Sequence, residues 1–251
     1  MIAKSPVSSE KLTAEPLYRR VRTRLVERLI QGDWKPGAML PSEFAIADQL
    51  GVSQGTVRKA LDEMTVEGIL ERRQGKGTFV AQAEDTAILF RFYRLTRDIG
   101  DGTAEQTFPR SHYLSHIKTT ASQEERDVFQ IPSGRHFQVW RFERVRYEAD
   151  EPILWERLVL PSQRFPKLDT VLPLPNNVYR FYADTFGLMV KNVHEKLRAV
   201  AASAIVSDHL NLPPNSPVLE IDRRAIALDD DTIEWRVSHC RSDTMHYRNE
   251  L

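Results

Sequence analysis

The residues best suited to chemistry in this chain are cations, amides and hydroxyls that lie close together in its first third. Gly75 and Gly77 flank Lys76, so the backbone there can turn tightly and approach a sugar–phosphate wall. Gln54 and Arg58 lie in a stretch with helical spacing. A Gln amide pairs two-pronged with adenine, and Arg pairs with guanine or grips a phosphate. These residue types at this spacing indicate duplex DNA as the partner. The predicted DNA-contacting residues are Ser42, Glu43, Ser53, Gln54, Thr56, Arg58, Arg72, Gly75, Lys76 and Gly77.

A second set of chemical groups lies in the middle of the chain. Trp140, Phe142, Arg144 and Arg146 alternate along one face of a predicted strand, and Glu156 falls between apolar residues on one face of the next. Arginine forks suit a carboxylate or phosphate, and carboxylates suit hydroxyl or amine groups. Such charged residues are either the rim of a sheet or the polar groups of a buried site. The alternation by itself favours the rim.

Two short helices must position the first set. Val57, Leu61 and Met64 recur at i, i+4 and i+7 and predict one buried helical face. An earlier helix is predicted from an apolar face of Phe44, Ala47 and Leu50. Ser42 and Ser53 are suited to cap the two helix starts, while Gly51 and Gly68 are suited to end them.

The neighbouring segments complete a small domain. An apolar pattern at helical spacing predicts a first helix covering the other two, and the basic glycine-rich stretch after Gly68 predicts a hairpin, or wing. A helix pair joined by a glycine turn holds the second helix at a steep angle, so its N-terminal end can enter the major groove. The residues of the first helical pattern are Leu17, Val21, Leu25, Leu29 and Ile30.

The rest of the chain changes character, because alternating strand-like segments replace helical spacing. Two hairpins stand out, around residues 148–151 and 229–231, and they carry similar motifs, Trp155-Glu156-Arg157 and Glu234-Trp235-Arg236. A mostly antiparallel sheet with flanking helices is an α+β domain. The predicted strands are 111–118, 137–147, 153–160, 189–200, 217–228 and 232–242, and the predicted helices are 177–186 and 201–210.

Composition agrees with two modest domains in 251 residues. Residues 1–80 carry 13 Lys and Arg against 10 Asp and Glu, and the remaining residues carry 22 against 25. Cys240 is the only cysteine, which excludes an intrachain disulfide and cysteine-type zinc clusters. No apolar run approaches the roughly 20 residues that a membrane helix needs, and no signal pattern opens the chain. We therefore expect a cytoplasmic protein with no membrane partner.

Several motifs together resemble the GntR family of bacterial repressors over residues 16–80. The remainder, over residues 88–248, resembles the HutC subfamily, whose effector module is the UTRA domain with a chorismate-lyase-like fold. The resemblance implies a winged helix-turn-helix domain at 1–81, a linker at 82–87 and an effector domain at 88–251. The motifs are Pro16-Leu17-Tyr18, Gly32-x-x-x-Pro36-Gly37, Leu40-Pro41-Ser42-Glu43, Thr56-Val57-Arg58-x-Ala60-Leu61, Glu67-Gly68 and Gly75-x-Gly77-Thr78-Phe79-Val80.

The resemblance implies a homodimeric repressor that binds a near-palindromic double-stranded operator and is released by a small polar or anionic effector. It implies no catalytic residues, no metal site and no cofactor. A fragment of residues 1–82 is expected to bind DNA weakly and to ignore the effector. The effector-binding residues that the resemblance implies are Arg144, Arg146, Glu156, Tyr179, Glu234 and Asp243.

This sequence departs from the family pattern in three places. Phe44 and Gln54 stand where relatives usually carry arginines that touch DNA, so the operator is expected to differ or the phosphate anchoring to be weaker. Residues 90–96 lack the small Ser and Thr that sugar-phosphate binders often present after the linker. An aromatic or carboxylate effector is therefore an alternative to a phosphosugar.

Three rival functions remain open. The lyase-like fold could retain an enzymatic activity, but the seven histidines are scattered, and His112 and His116 lie in a predicted strand. A GntR protein with an all-helical, metal-binding effector domain is disfavoured by the strand alternation and by the Pro-rich stretch at 172–175. A purely structural DNA-binding protein would show no ligand response and little sequence preference.

Overall fold

A computed structural model describes residues 16–81, 94–97 and 109–249. Its N-terminal part holds three helices followed by a two-stranded wing, as the sequence predicts. The wing strands pair antiparallel, with Leu70 opposite Val80 and Arg73 opposite Gly77. The elements are α1 (Leu17–Ile30), α2 (Glu43–Leu50), α3 (Gln54–Val66), β1 (Leu70–Arg73) and β2 (Gly77–Val80).

Local capping residues set the ends of the second and third helices. The Ser42 and Ser53 hydroxyls each accept a backbone N–H bond at 3.2 Å, from Ala45 and Thr56 respectively. Gly51 ends α2 in the left-handed conformation that glycine adopts without strain. The predicted caps are therefore confirmed, and they fix the start of α3 at Gln54.

The core of this domain differs from the prediction in α2. Val57, Leu61 and Met64 are buried as expected, but Phe44 is 73% exposed and Ile46 occupies the core in its place. Residues two apart on a helix point about 200° apart, so burying Ile46 turns Phe44 outward. The predicted Phe44 face is wrong for this reason.

The ends of α1 also differ from the predicted apolar face. Val21, Leu25 and Leu29 are buried as predicted. Leu17 and Ile30 are exposed large apolar residues, because they are the first and last residues of the helix.

The C-terminal part is an α+β unit around one six-stranded antiparallel sheet, ordered β4-β5-β6-β9-β8-β7. The predicted strands are confirmed. The predicted helix at 201–210 starts later than expected, because Ala201 still pairs with Pro217 and Ser203 caps the helix. The elements are β3 (Leu95–Arg97), β4 (Arg110–Thr120), α4 (Gln123–Val128), β5 (Gln138–Glu148), β6 (Glu151–Pro161), a 3-10 turn (Leu168–Val171), α5 (Val178–Phe186), β7 (Val190–Ala201), α6 (Ala204–Leu210), β8 (Pro217–Ala227), β9 (Thr232–Arg241) and β10 (Met245–Tyr247).

Strand register places the polar residues of this sheet on one face. Arg144 lies opposite Glu156, Glu156 lies opposite Ser238, and Arg223 lies opposite Arg236. Because α5 packs its apolar and aromatic side chains against the same face, these charges are buried. The rim that alternation alone favoured is therefore wrong.

Two apolar residues of the C-terminal part contact the winged domain. Leu228, in the turn between β8 and β9, and Met189, just before β7, pack against the apolar core of the winged domain. The predicted linker at 82–87 and residues 90–93 lie outside the described residues, so the domain boundaries stay a prediction. No helix in the described ranges is both long and apolar enough to cross a membrane.

Candidate functional site

The N-terminal end of α3 is organised by one carboxylate from α2. Glu43 accepts hydrogen bonds from Gln54 Nε2 at 3.2 Å, from Arg58 Nε at 2.9 Å and from Arg72 Nη2 at 3.1 Å. The hydrogen bond from Arg58 is the main reason that the pKa of the Glu43 carboxyl lies below its usual value. Glu43 therefore links α2, α3 and the wing through a charge that persists in mild acid.

The cations around Glu43 remain accessible to a partner. The Arg58 and Arg72 side chains are 56% and 41% exposed, and Lys76 lies exposed at the wing tip. Gly75 and Gly77 both adopt positive φ angles, of 70° and 128°, so the predicted need for glycine in this turn is confirmed. This surface presents positive charge on a rigid support.

The hydroxyls of the predicted DNA set are already engaged within the protein. Ser42 and Ser53 cap their helices, and the Ser53 and Thr56 hydroxyls lie 2.8 Å apart in a hydrogen bond. A hydroxyl can donate and accept at once, so these groups can keep their caps and still meet a phosphate.

A buried ionic cluster fills the polar face of the large sheet. Glu156 bonds to Arg144 Nε and accepts a hydrogen bond from Ser238 at 3.1 Å, and Arg236 and Arg146 approach it at 3.5 and 3.9 Å. Burial alone would raise the pKa of the Glu156 carboxyl. The three neighbouring guanidinium groups outweigh that effect and hold its pKa well below its usual value.

The second carboxylate of the cluster is Glu234. It accepts hydrogen bonds from Tyr179 at 3.1 Å and Tyr182 at 2.7 Å, and a two-pronged bond from Arg236 at 3.0 and 2.8 Å. Burial, followed by the nearby Glu234 charge, raises the pKa of Tyr179 to about 12. Both tyrosines therefore stay protonated donors, and Arg236 joins the two carboxylates.

Among the described residues, four buried guanidinium groups gather at this cluster. Arg144, Arg146, Arg223 and Arg236 are all buried, against the carboxylates of Glu156, Glu234 and Glu195. Within the described parts of the chain, the buried Nη2 atom of Arg144 has no hydrogen-bond partner. A buried donor without a partner is costly unless a ligand completes it. This arrangement fits an anion.

The structure brings together most of the predicted effector residues but not all. Arg144, Arg146, Glu156, Tyr179 and Glu234 meet at the cluster. The predicted Asp243 lies beyond the end of β9, where its carboxylate pairs with Arg241 at 2.6 Å.

Sequence reasoning missed further members of the cluster. Arg236 stands two residues after Glu234 in the motif already noted, so strand alternation is a signal that could have found it. Tyr182 follows Tyr179 by one helical turn. The additional members are Tyr113, Tyr182, Glu195, Arg223, Arg236 and Ser238.

A winged helix-turn-helix joined to a domain with a buried cationic site defines a ligand-responsive DNA-binding regulator. The family model for bacterial regulatory proteins of the gntR family matches residues 17–80, and the UTRA domain model matches residues 105–246. The chain belongs to the GntR family of bacterial transcriptional regulators and is of the HutC type, with a UTRA effector domain.

Relatives agree over nearly the full length. The chain is 29% identical over 222 residues to the mannosyl-D-glycerate transport/metabolism system repressor MngR of Escherichia coli (strain K12), covering 88% of this chain and 90% of the relative. It is 28% identical over 227 residues to the histidine utilization repressor of Klebsiella aerogenes, covering 89% and 88%.

A solved structure supports the same conclusion. The ligand-binding domain of a GntR-family regulator from Bordetella bronchiseptica aligns with a TM-score of 0.54 at 28% identity, covering 63% of this chain and 96% of that domain. These relatives are transcriptional regulators, not enzymes.

Proposed function

We propose that this regulator is a homodimeric repressor released from its operator by a metabolite that carries a carboxylate or phosphate. The observation that supports the effector class is the gathering of four buried guanidinium groups, with a donor of Arg144 that has no partner among the described residues. Arginine forks match both anions in a two-pronged geometry. Mannosyl-D-glycerate and histidine, the compounds in the names of two relatives, both carry a carboxylate.

The carboxylates of the cluster would contribute less to ligand binding than their chemistry first suggests. Glu156 and Glu234 are each already held by guanidinium, hydroxyl or phenol groups of the protein. A ligand amine would have to displace those partners. The cluster therefore favours an effector recognised through its anionic end.

DNA recognition is assigned to the surface organised by Glu43. In a dimer, two copies of α3 would enter successive major grooves about one helical turn apart, which makes a near-palindromic operator the expected target. Gln54 and Arg58 would face base edges, while Arg72 and Lys76 on the wing would meet the backbone. Two readers would double the phosphate contacts of a domain with only modest positive charge.

Coupling between the domains follows from differential affinity. The protein has one domain arrangement that fits the operator and another that fits it poorly. An effector weakens DNA binding only to the extent that it binds the second arrangement more tightly than the first. Leu228 provides a physical route, because it follows the strand that carries Arg223 and packs against the winged domain. A change at the cluster can reach the winged domain through this turn.

The effector site is tested by a thermal-shift screen of the full chain against carboxylate and phosphate metabolites. A ligand that binds only the folded state stabilises it by about 2.7 kcal/mol at one hundred times its dissociation constant. The shift of any hit should disappear in Arg146→Gln and persist in Arg157→Gln, a matched change on the same sheet. Arg157 lies on the strand of Glu156 and points to the opposite face, against Trp235. A ligand that raises the melting temperature of Arg146→Gln as much as that of the wild type would refute the placement of the effector site at the buried cluster.

A further inference from the structure

Phe44 stands out on the DNA-facing part of the winged domain. It is 73% exposed and takes no part in the apolar core of that domain. Its chain neighbour Glu43 binds Gln54, Arg58 and Arg72 directly. A large exposed ring therefore directly follows the carboxylate that organises the groups assigned to DNA, and it contributes nothing to the apolar core.

The chemistry of the major groove suggests what such a ring contacts. The C5-methyl group of thymine is the apolar group that base pairs present there, and phenylalanine is one of the side chains that contact it. The surrounding cations Arg58, Arg72 and Lys76 match the charge of a duplex. Charge complementarity thus favours DNA as the occupant of this apolar surface.

Gln54 adds a second, compatible preference. Its Nε2 donates one hydrogen to Glu43, so the side chain is held in place at the first position of α3. The other Nε2 hydrogen and the amide oxygen match N7 and N6 of adenine. Glu43 therefore restrains the Gln54 side chain, and Phe44 is the next residue after Glu43 on α2.

We propose that Phe44 is a specificity-determining residue that packs against a thymine methyl group, beside an adenine read by Gln54. The operator half-site then carries A·T pairs at these positions. This proposal rests on the proposed function, because it assumes that this surface binds a sequence-specific operator. It adds the identity of the bases and the residues that read them.

The test begins with an operator obtained by in vitro selection with the full-length protein. Each thymine is then replaced singly by uracil, which removes the methyl group and keeps the pairing. Fluorescence anisotropy should show one position per half-site at which uracil weakens wild-type binding about fourfold, the effect expected for losing one buried methyl contact. In Phe44→Ala the thymine and uracil operators should bind equally. Replacing the adenine by 7-deazaadenine should weaken the wild type and not Gln54→Ala.

Val66→Ala is the matched control, because Val66 is exposed at the opposite end of α3. It should retain the uracil sensitivity of the wild type. Selection of an operator without any uracil-sensitive position overturns the proposal for Phe44 and leaves DNA recognition standing. The same holds if Phe44→Ala weakens all sequences equally, which would place the ring against the backbone or another protein. Failure to select any sequence would overturn the proposed function as well.

Discussion

Glu156 supplies the counter-charge for three guanidinium groups in the interior of the effector domain. The Glu156→Gln variant keeps the shape of this side chain and removes its charge. Arg144, Arg146 and Arg236 would then be buried with much less compensation, and losing one partner of a buried ion pair costs about 3–5 kcal/mol. We expect chemical denaturation to show a loss of this size in the free energy of unfolding.

The control for this prediction is Glu220→Gln. Glu220 pairs with Arg198 and His239 near the surface, where such pairs contribute about 1 kcal/mol or less. Equal costs for Glu156→Gln and Glu220→Gln would show that the buried cluster is not electrostatically coupled.

At the residue scale, the sequence predicted several residues of the buried cluster but not all of the residues that contact them. Arg144 and Arg146 were expected to share one face of their strand because alternation is a local property, and the family resemblance placed Glu156 in the same site. Arg223 was missed, since only the pairing of β8 with β9 brings it to Arg236. The burial of Phe44 was predicted wrongly. Either Phe44 or Ile46 can share an apolar helical face with Ala47, and the folded domain buries Ile46.

Helix α4 shows how one element is tied to the sheet. Glu125 accepts a hydrogen bond from the Ser122 backbone at 2.7 Å and a two-pronged bond from Arg141 of β5 at 2.6 and 2.8 Å. Burial would raise the pKa of the Glu125 carboxyl. The bonds from Arg141 and Ser122 outweigh burial, so its pKa is lowered.

This lowered pKa predicts a pH-dependent contribution to stability. A carboxyl whose pKa is lowered in the folded state contributes its full stabilisation above its unfolded pKa of about 4.5, and that contribution is lost as the pH falls from there through the lower pKa of the folded state. Glu125→Gln should cost about 1–3 kcal/mol at pH 7, and the gap to wild type should narrow between pH 5 and pH 3. Urea unfolding across this range measures it, with the exposed Glu124→Gln as control. A gap that stays constant with pH would contradict the assignment.

At the element scale, local signals carried most of the fold. Serine caps, glycine ends and alternation placed α2, α3 and the six long strands, because each depends on neighbouring residues. Helix α4 has six residues, too few for a periodic pattern, and it was missed. The pairing of β3 with β10 was also missed, since it joins distant segments of three residues each.

At the scale of the whole molecule, the contact of Leu228 with the winged domain should transmit the effector signal. Leu228→Asp places a charge in that contact without touching the buried cluster. We expect the variant to keep the thermal shift of an effector hit and to lose most of the effector's influence on operator affinity. Leu197→Asp, on an exposed part of β7, should behave as the wild type. An unchanged DNA response in Leu228→Asp would exclude this route.

The sequence could not reveal this contact, since Leu228 ends a predicted strand and its partners lie in the first third of the chain. The two-domain division was visible, because helical spacing gives way to strand alternation after the wing. The full membership of the cluster was not visible, because its residues come from six strands and one helix and meet only in space.

Coupling between the buried cluster and DNA binding is tested most directly by the operator affinity of the full-length protein, measured by fluorescence anisotropy with and without a carboxylate or phosphate hit. The hit should weaken operator binding by the wild type, by about 5- to 150-fold for a typical allosteric coupling. The effect should be absent in Arg146→Gln and retained in Arg157→Gln. A hit that binds the wild type and leaves its operator affinity unchanged would show that the site does not control DNA binding. A hit that weakens operator binding by Arg146→Gln as much as by the wild type would show that it acts elsewhere.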